Sequence, residues 1–338
     1  TKEEKDQYEQ IIEDINQKMA EVDNMLLMNN EDGARKLLVE SKEKLDQVPK
    51  DSKIYEEKGV ETANNIQIGL DKVFNVNRIT DPETSIDYSQ ISSDVGVSNI
   101  ERIGDTIYAY DNNSDSVYSG KLEDGSTQVV VDNQGGPTLI AVAKDSAATT
   151  LGWSDENTLV QFNPVLEKLS EVGIGETADS INISDLKVFG SRLYALSKDG
   201  QIYKFTADGD NYGDSAPWLT EDNILSNSKS LAIDGAVYVV DGNGEIKKFF
   251  SGVVDDEFSL DAVEPVLTNP SLIYTDENIT SIYLLDPENK RALRFNKEGE
   301  LTSQYISDKF DNLTDLVVDE DTGKLYLLNG SQVYMVKI

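Results

Sequence analysis

Cysteine and histidine are both absent from the 338 residues. Their absence removes disulfides, thiolate nucleophiles, Cys/His zinc sites and every triad that depends on imidazole. The chemistry left to the chain is that of carboxylates, Tyr, Lys, Ser paired with Lys, or a metal held by oxygen ligands. Long apolar runs are missing too. Stretches such as Ala236–Val240 are among the longest, far short of the ~20 residues that cross a bilayer. Basic residues are outnumbered, 30 against 63 acidic, for a formal net charge of −33. Such a surface repels phosphate backbones and anionic lipid, which disfavours nucleic acid and direct membrane binding. Cationic ligands, metal ions and basic proteins stay open, and the charge also favours solubility. The lack of Cys does not fix the redox compartment. The chain begins at Thr1, shows no signal peptide, and reads as a piece of a longer protein whose upstream segment is unseen.

Residues 1–75 have helical periodicity. Tyr8, Ile11, Ile12, Ile15, Met19, Val22 and Leu26 recur in steps of three and four, giving one apolar stripe close to heptad spacing. Asn29-Asn30-Glu31-Asp32 interrupts it. A second stretch carries Ala34, Leu37, Leu38, Leu45 and Val48 and stops at Pro49. Asp51 and Ser52 are N-cap candidates for a third, with Ile54, Ala63, Ile66, Leu70 and Val73 on one side. The short connections predict a helical hairpin or three-helix unit, serving as a packing element or as a stalk.

From about residue 100 the pattern changes to short β-rich runs broken by Asp, Gly and Asn. An apolar-Tyr-apolar strand recurs at Ile107–Tyr110, Leu193–Leu196, Val237–Val240, Ile282–Leu285 and Leu325–Leu328, with Thr150–Trp153 as a degenerate copy. The steps from Tyr108 to Leu151, Tyr194, Tyr238, Tyr283 and Tyr326 are 43, 43, 44, 45 and 43 residues. That period in all-β sequence is the length of a four-stranded propeller blade. A following strand matches as well (Val117-Tyr118, Val160–Phe162, Ile202-Tyr203, Ala292–Phe295, Val333-Tyr334), and an apolar run precedes most copies. Six copies fill residues 97–338. The last ends after three strands, so residues 76–96 are expected to supply its outer strand and close the ring, which leaves no free sheet edge between first and last blades. The predicted organisation is a helical unit over 1–75 and a mainly β, six-bladed propeller over 76–338.

The Leu-Tyr-x-Leu…Gly-x-Ile-Tyr-x-Phe blade at Leu193–Phe205 resembles the NHL/TolB-like class of six-bladed propellers. The order is also informative: a helical hairpin containing Asp32–Leu38 runs through Leu70–Ile79 into the propeller. This resembles the extracytoplasmic region of bacterial membrane-anchored proteins whose cytoplasmic part is a PPM-type serine/threonine phosphatase-like domain. The resemblance implies an outward-facing sensing or signalling module, tethered through a missing upstream membrane segment. WD and Kelch signatures are lacking, and Ser197–Gly200 is only a partial sialidase Asp-box.

The turns joining second and third strands are acidic. Because blades are related by rotation, Asp111, Asp115, Asp155, Glu156, Asp199, Asp241, Asp286 and Glu288 are expected on one rim, as a candidate binding surface for cations or basic peptides. Tight hairpins demand Asp, Asn and Gly in any case. Trp153 and Trp218 are candidates for stacking on a sugar or Pro-rich peptide, with core packing as the alternative. Asp208–Asp214 and Asp241–Glu245 faintly resemble calcium loops, but Tyr212 and Leu219 stand where oxygen ligands belong. No metal site and no cofactor is assigned on this basis. Asn182 and Asn278 head glycosylation sequons, relevant only in a eukaryotic secretory host. The expected function is non-enzymatic: a sensing or ligand-binding propeller with a protein, peptide or small molecule on one face. The alternative is a carbohydrate-active enzyme working through Asp/Glu, since some propellers cleave glycosides.

Overall fold

A computed structural model describes residues 2–145, 148–221 and 224–338. The chain divides into two compact units, one through Asn77 and one from Arg78 to Ile338.

The first unit contains helices α1 (Lys2–Leu27), α2 (Glu31–Leu45) and α3 (Val60–Val73). Asn30 Oδ1 accepts the Gly33 N–H at 3.1 Å and starts α2. Ser52 Oγ accepts the Tyr55 N–H at 3.2 Å and caps the third helical segment. That segment opens with a π-helical turn, Tyr55–Gly59. The wider turn steps the buried face from Ile54 to Gly59 and then to Thr62, Ile66, Leu70 and Val73. Thr62, rather than the expected Ala63, is therefore the buried residue of that turn. Gly69 lets α3 approach α2: a Cβ there would lie 2.6 Å from Leu38 Cδ2.

The second unit is a six-bladed β-propeller of four-stranded antiparallel blades, the class that the tyrosine spacing predicts. Blade 1 runs Val97–Ile103, Thr106–Asp111, Val117–Lys121 and Thr127–Val131, innermost strand first. Blade 2 runs Leu139–Lys144, Thr150–Ser154, Leu159–Asn163 and Lys168–Val172. Blade 3 runs Ile183–Phe189, Arg192–Ser197, Ile202–Asp208 and Asn211–Pro217. Blade 4 comprises Ser230–Ile233, Val237–Val240, Ile246–Phe250 and the two-residue Val253–Val254. Blade 5 comprises Leu272–Tyr274, Ser281–Asp286, Arg291–Asn296 and Leu301–Ile306. Blade 6 takes Leu313–Asp319, Lys324–Asn329 and Gln332–Lys337 from the C-terminus and Glu83–Asp87 as its outer strand, in register Thr84↔Tyr334 and Ile86↔Val333. Immediately after that strand, Tyr88 is fully buried and donates its hydroxyl to Ile107 O of blade 1 at 2.9 Å. One short stretch thus ties the last blade to the first.

Hydrophobic cores lie between neighbouring blades. Trp153, Leu186 and Phe205 belong to the core between blades 2 and 3, and Tyr194, Leu231 and Phe249 to that between 3 and 4. Each blade alone would expose these faces, so stacking around the ring is what buries them. In blades 1, 2, 3 and 6 the innermost strand carries a bulge at the same place: Val97/Asn99, Leu139/Ala141, Ile183/Asp185 and Leu313/Asp315. A bulge re-aims the side chain that follows it, and two of these four residues are carboxylates.

Candidate functional site

The six innermost strands bound a central channel. At the level of the repeating Tyr, their register partners are Glu101, Ala143, Lys187, Ala232, Tyr274 and Val317. Deeper in, a cavity of ≈ 170 Å³ is lined by residues of all six blades, among them Asn99, Ala141, Asp185, Ser230, Leu272 and Asp315. It adjoins cavities of ≈ 370 Å³ and ≈ 240 Å³ that share Glu101, Lys144, Tyr274, Asp276 and Asn278. These form a mouth on the face of the first-to-second-strand turns, where Gly104, Gly190 and Glu320 lie.

Inner-strand amides need acceptors, because one edge of each strand faces the channel. Side chains of the preceding blade provide them. Asp185 Oδ2 accepts the Leu231 N–H at 2.8 Å, and Asp315 Oδ2 accepts the Ile100 N–H at 2.8 Å across the ring closure. Ser230 Oγ accepts the Ile273 N–H at 3.3 Å. Asp185 and Asp315 also accept the N–H of the next residue in their own strands, Leu186 and Leu316, both at 2.8 Å. Lys187 Nζ lies 3.3 Å from Asp185 Oδ1.

Burial governs the charges here. It pushes the Glu101 carboxyl up to about 7, against the pull of Lys187, Lys144 and the Lys144 N–H, with Asp276 adding to the rise. Burial likewise pushes Asp315 up to about 7, opposed by its Ile100 and Leu316 N–H bonds and reinforced by Glu101. For Lys187, burial acts to lower the pKa, but Asp185, Glu101 and Asp315 together hold it above the ordinary value. Burial, with Glu101 and Asp276, keeps Tyr274 a neutral phenol. In the ≈ 370 Å³ cavity four carboxylates, Glu101, Asp145, Asp276 and Glu277, face two ammonium groups, Lys144 and Lys187. The mouth is an acid-rich, partly desolvated cup with phenol and amide donors, suited to a small polar guest carrying positive charge.

The acidic turns lie at the opposite ends of the strands and so on the opposite face. The structure corrects the picture of an open rim there. Asp111, Asp241 and Asp286 keep 2% or less of their surface. Asp111 accepts the Gly96 and Asn113 N–H groups and the Tyr118 hydroxyl at 3.1, 2.7 and 2.6 Å. Asp241 accepts the Ser226 and Gly242 N–H groups at 2.7 and 2.9 Å. Asp286 is paired with the buried Arg291 at 2.9 and 2.7 Å. The equivalent residues in the other blades are Ser154, Ser197 and Asn329, and Asn329 Oδ1 accepts the Asn312 N–H at 2.9 Å in the same way. What this position needs is an acceptor that anchors the turn, and negative charge is incidental to it. Half-buried Asp115 accepts the Thr138 hydroxyl at 2.6 Å, and Asp155 the Thr138 N–H at 3.0 Å. Asp199, Glu156 and Glu288 are exposed; Asp199 accepts the Gln201 N–H, and Glu288 the Asn269 amide.

Trp153 is buried in an inter-blade core and has no face to offer a ligand. Trp218 is partly buried, edge-on to Tyr194 and Phe249. The Asp208–Asp214 stretch is a hairpin pairing Asp208 with Asn211. Its Asn211 Oδ1 is spent on the Gly173 N–H at 2.8 Å, so its oxygens do not converge as a calcium loop requires. Asp241, buried and hydrogen-bonded, is likewise unavailable to a loop site at Asp241–Glu245. Among the described residues no three acidic side chains come together as metal ligands.

The chain matches no protein-family profile and no curated protein sequence. Among solved structures it is similar to a gluconolactonase of Xanthomonas campestris, with 14% identity, a TM-score of 0.55, and coverage of 78% of this chain and 97% of that one. It is also similar to a chain of a nidogen/laminin complex, with 11% identity, a TM-score of 0.51, and coverage of 66% and 84%. At these identities the likeness is one of fold.

Proposed function

We propose that the propeller is a ligand-binding module, that its site is the mouth of the central channel, and that its ligand carries a cationic group, either a small amine or a basic side chain. One observation carries this reading: the carboxylate excess around Glu101 in an enclosed polar cavity. A cluster that retains an extra proton near neutrality is one in which a cationic ligand can take that proton's place. The surrounding charge of −33 would steer such a ligand inward. A position outside the cytoplasm, tethered through an upstream segment, belongs to the same proposal. It rests on the resemblance of the helices-then-propeller order to the outward part of phosphatase-linked bacterial membrane proteins.

The rival reading is a carboxylate-dependent enzyme. Glu101 and Asp315 both titrate near 7, the range useful to a general acid. Asp315, however, spends both oxygens on backbone N–H groups, which removes it as a catalytic partner for Glu101.

Thermal-shift and calorimetric titrations with cadaverine, arginine methyl ester and choline, alongside glucose and gluconate, separate the readings. Stabilisation by the cations, lost in Glu101→Gln and Asp276→Asn, supports the binding module. Stabilisation by gluconate or glucose alone overturns it. So does turnover of aryl glycosides or gluconolactone that Glu101→Gln abolishes.

A further inference from the structure

The outer edge of blade 4 differs from the rest. The other outer strands run for five to seven residues, as in Thr127–Val131 and Asn211–Pro217, whereas this one is Val253–Val254, paired only with Phe249 and Phe250. Asp255 N–H bonds Lys248 O at 2.8 Å, and the chain then leaves the sheet: Phe258 N–H turns back to Asp255 O, and Asp261 N–H bonds Gly299 O of blade 5 at 2.8 Å. On the inner side, Asp241 N–H bonds Glu245 O at 2.8 Å. Alternation along an antiparallel ladder then points the N–H and C=O of Ile246 outward, where the missing part of the strand would run.

Between that edge and the departing segment is a cleft of ≈ 560 Å³, far from the channel, lined by Ile246, Val254, Phe258, Val263, Val266 and Leu267. Val266 is 70% exposed and Phe250, at the end of the same edge, 52%. The rim is acidic, with Glu245, Asp255, Asp256 and Asp261. Two cations lie beside them. Lys247 is held by Ile224 O at 2.6 Å and lies 3.6 Å from Asp241 and 3.7 Å from Glu245. Lys248 lies 3.9 Å from Asp255 with its ammonium over the Phe258 ring, which leaves Asp256 as the exposed rim carboxylate without an ion pair to either.

We propose that this cleft receives an extended segment of a partner protein as the strand blade 4 lacks, with alternate apolar side chains in the cleft and basic ones at the rim. Main-chain pairing with Ile246 supplies the register, the apolar lining selects every second residue, and the acidic rim selects the charge between them. An unpaired sheet edge beside exposed apolar surface is otherwise an aggregation hazard that proteins cover or charge.

The test uses the whole chain and two labelled synthetic peptides, capped Lys-Val-Lys-Val-Lys-Val and the same sequence N-methylated at alternate amides. Anisotropy titrations are expected to show at least tenfold weaker binding of the N-methylated peptide. Val266→Asp and Asp256→Lys, both at exposed positions, are each expected to weaken the unmodified peptide at least fivefold. Hydrogen exchange at Ile246 slows when the peptide binds. Equal binding of both peptides, which is attraction to the acidic surface only, overturns the proposal, as does no binding of the first. Glu101→Gln leaves this binding unchanged, so failure here and failure of the channel reading are separable.

Discussion

Replacing Glu101 by Gln is expected to stabilise the protein at pH 8 more than at pH 5.5. The carboxyl titrates at about 7 in the folded chain against 4.5 ordinarily, because burial outweighs Lys187 and Lys144. Between those values the folded state holds a proton that the unfolded state has released. Stability therefore falls as pH rises, by about 1.4 kcal/mol per pH unit for a fully shifted group. The penalty is absent below 4.5 and complete above 7, the reverse of a salt-bridged carboxylate. From pH 5.5 to 7 this amounts to about 2 kcal/mol. Glu101 keeps partial access to solvent through the channel, so half of that, about 1 kcal/mol, is the working figure. Gln keeps an oxygen for the Lys144 N–H and has no charge to desolvate. Removing the charge also relieves Asp315, which Glu101 helps push up. For a domain of this size ~1 kcal/mol moves Tm by about 2–4 °C. Thermal melts of both proteins at pH 5.5 and 8, at one ionic strength, should show the variant gaining that much on the wild type at the higher pH. An equal gap at both pH values, or a larger one at pH 5.5, would refute the assignment of Glu101 as a buried, proton-retaining carboxyl.

Tyr88→Phe leaves Ile107 O without its hydroxyl donor at the ring closure, and a loss of about 1–2 kcal/mol is expected as a lower urea midpoint with unchanged m. Arg291→Met strands buried Asp286 and Gln304, for about 3–5 kcal/mol of destabilisation; adding Asp286→Asn should recover part of it, and if the double variant melts no higher than the single, the pair is not the source of the loss. Gly69→Ala would ordinarily favour a helix by about 1 kcal/mol, but the 2.6 Å approach to Leu38 should turn this into a net loss. Melts followed at 222 nm check the sign, which should revert to a gain when Leu38→Ala opens the space.

The architecture was legible because one blade per 43–45 residues is a sequence-level period, and because Tyr194, Tyr283 and Tyr326 are buried in cores where blades meet. Less legible was anything depending on a one-residue shift. The π-turn at Tyr55–Gly59 moves the buried face of α3 onto Thr62, and nothing in the apolar spacing announces an extra residue per turn. The repeated inner-strand bulge is equally silent, since Ser98, Ile140, Ser184 and Thr314, three hydroxyl residues and an Ile, are all residues that an unbulged strand also carries. Blade 4 keeps the period of 44–45 residues while giving up most of its outer strand, because the segment after Val254 replaces the missing length with a loop. Period reports chain length per blade and is blind to how that length is folded.

The burial of several rim carboxylates was hidden for a related reason. Acidic residues are abundant in the turns because a turn needs an acceptor, and Ser154 and Asn329 fill the same role as Asp111 without charge. Their number therefore reflects the geometry of the turns. The charged residues of the inner strands are few and sit inside runs that otherwise read as apolar, such as Asp185–Phe189. A charge there has to be compensated by hydrogen bonds or partners, because desolvation in a channel costs several kcal/mol. Asp185 and Asp315 accept two backbone N–H bonds each and so act as staples between blades, although burial still pushes Asp315 up to about 7. Lys187 is compensated by Asp185. Glu101, like Asp315, keeps its proton toward neutrality, but it lines the mouth cavities, whereas both Asp315 oxygens are occupied by backbone N–H groups deeper in. A carboxyl that the fold keeps in the channel without fully compensating it is where a positively charged guest gains most. That is the physical ground for proposing the channel mouth, rather than the hydrogen-bonded acidic turns of the opposite face, as a binding site.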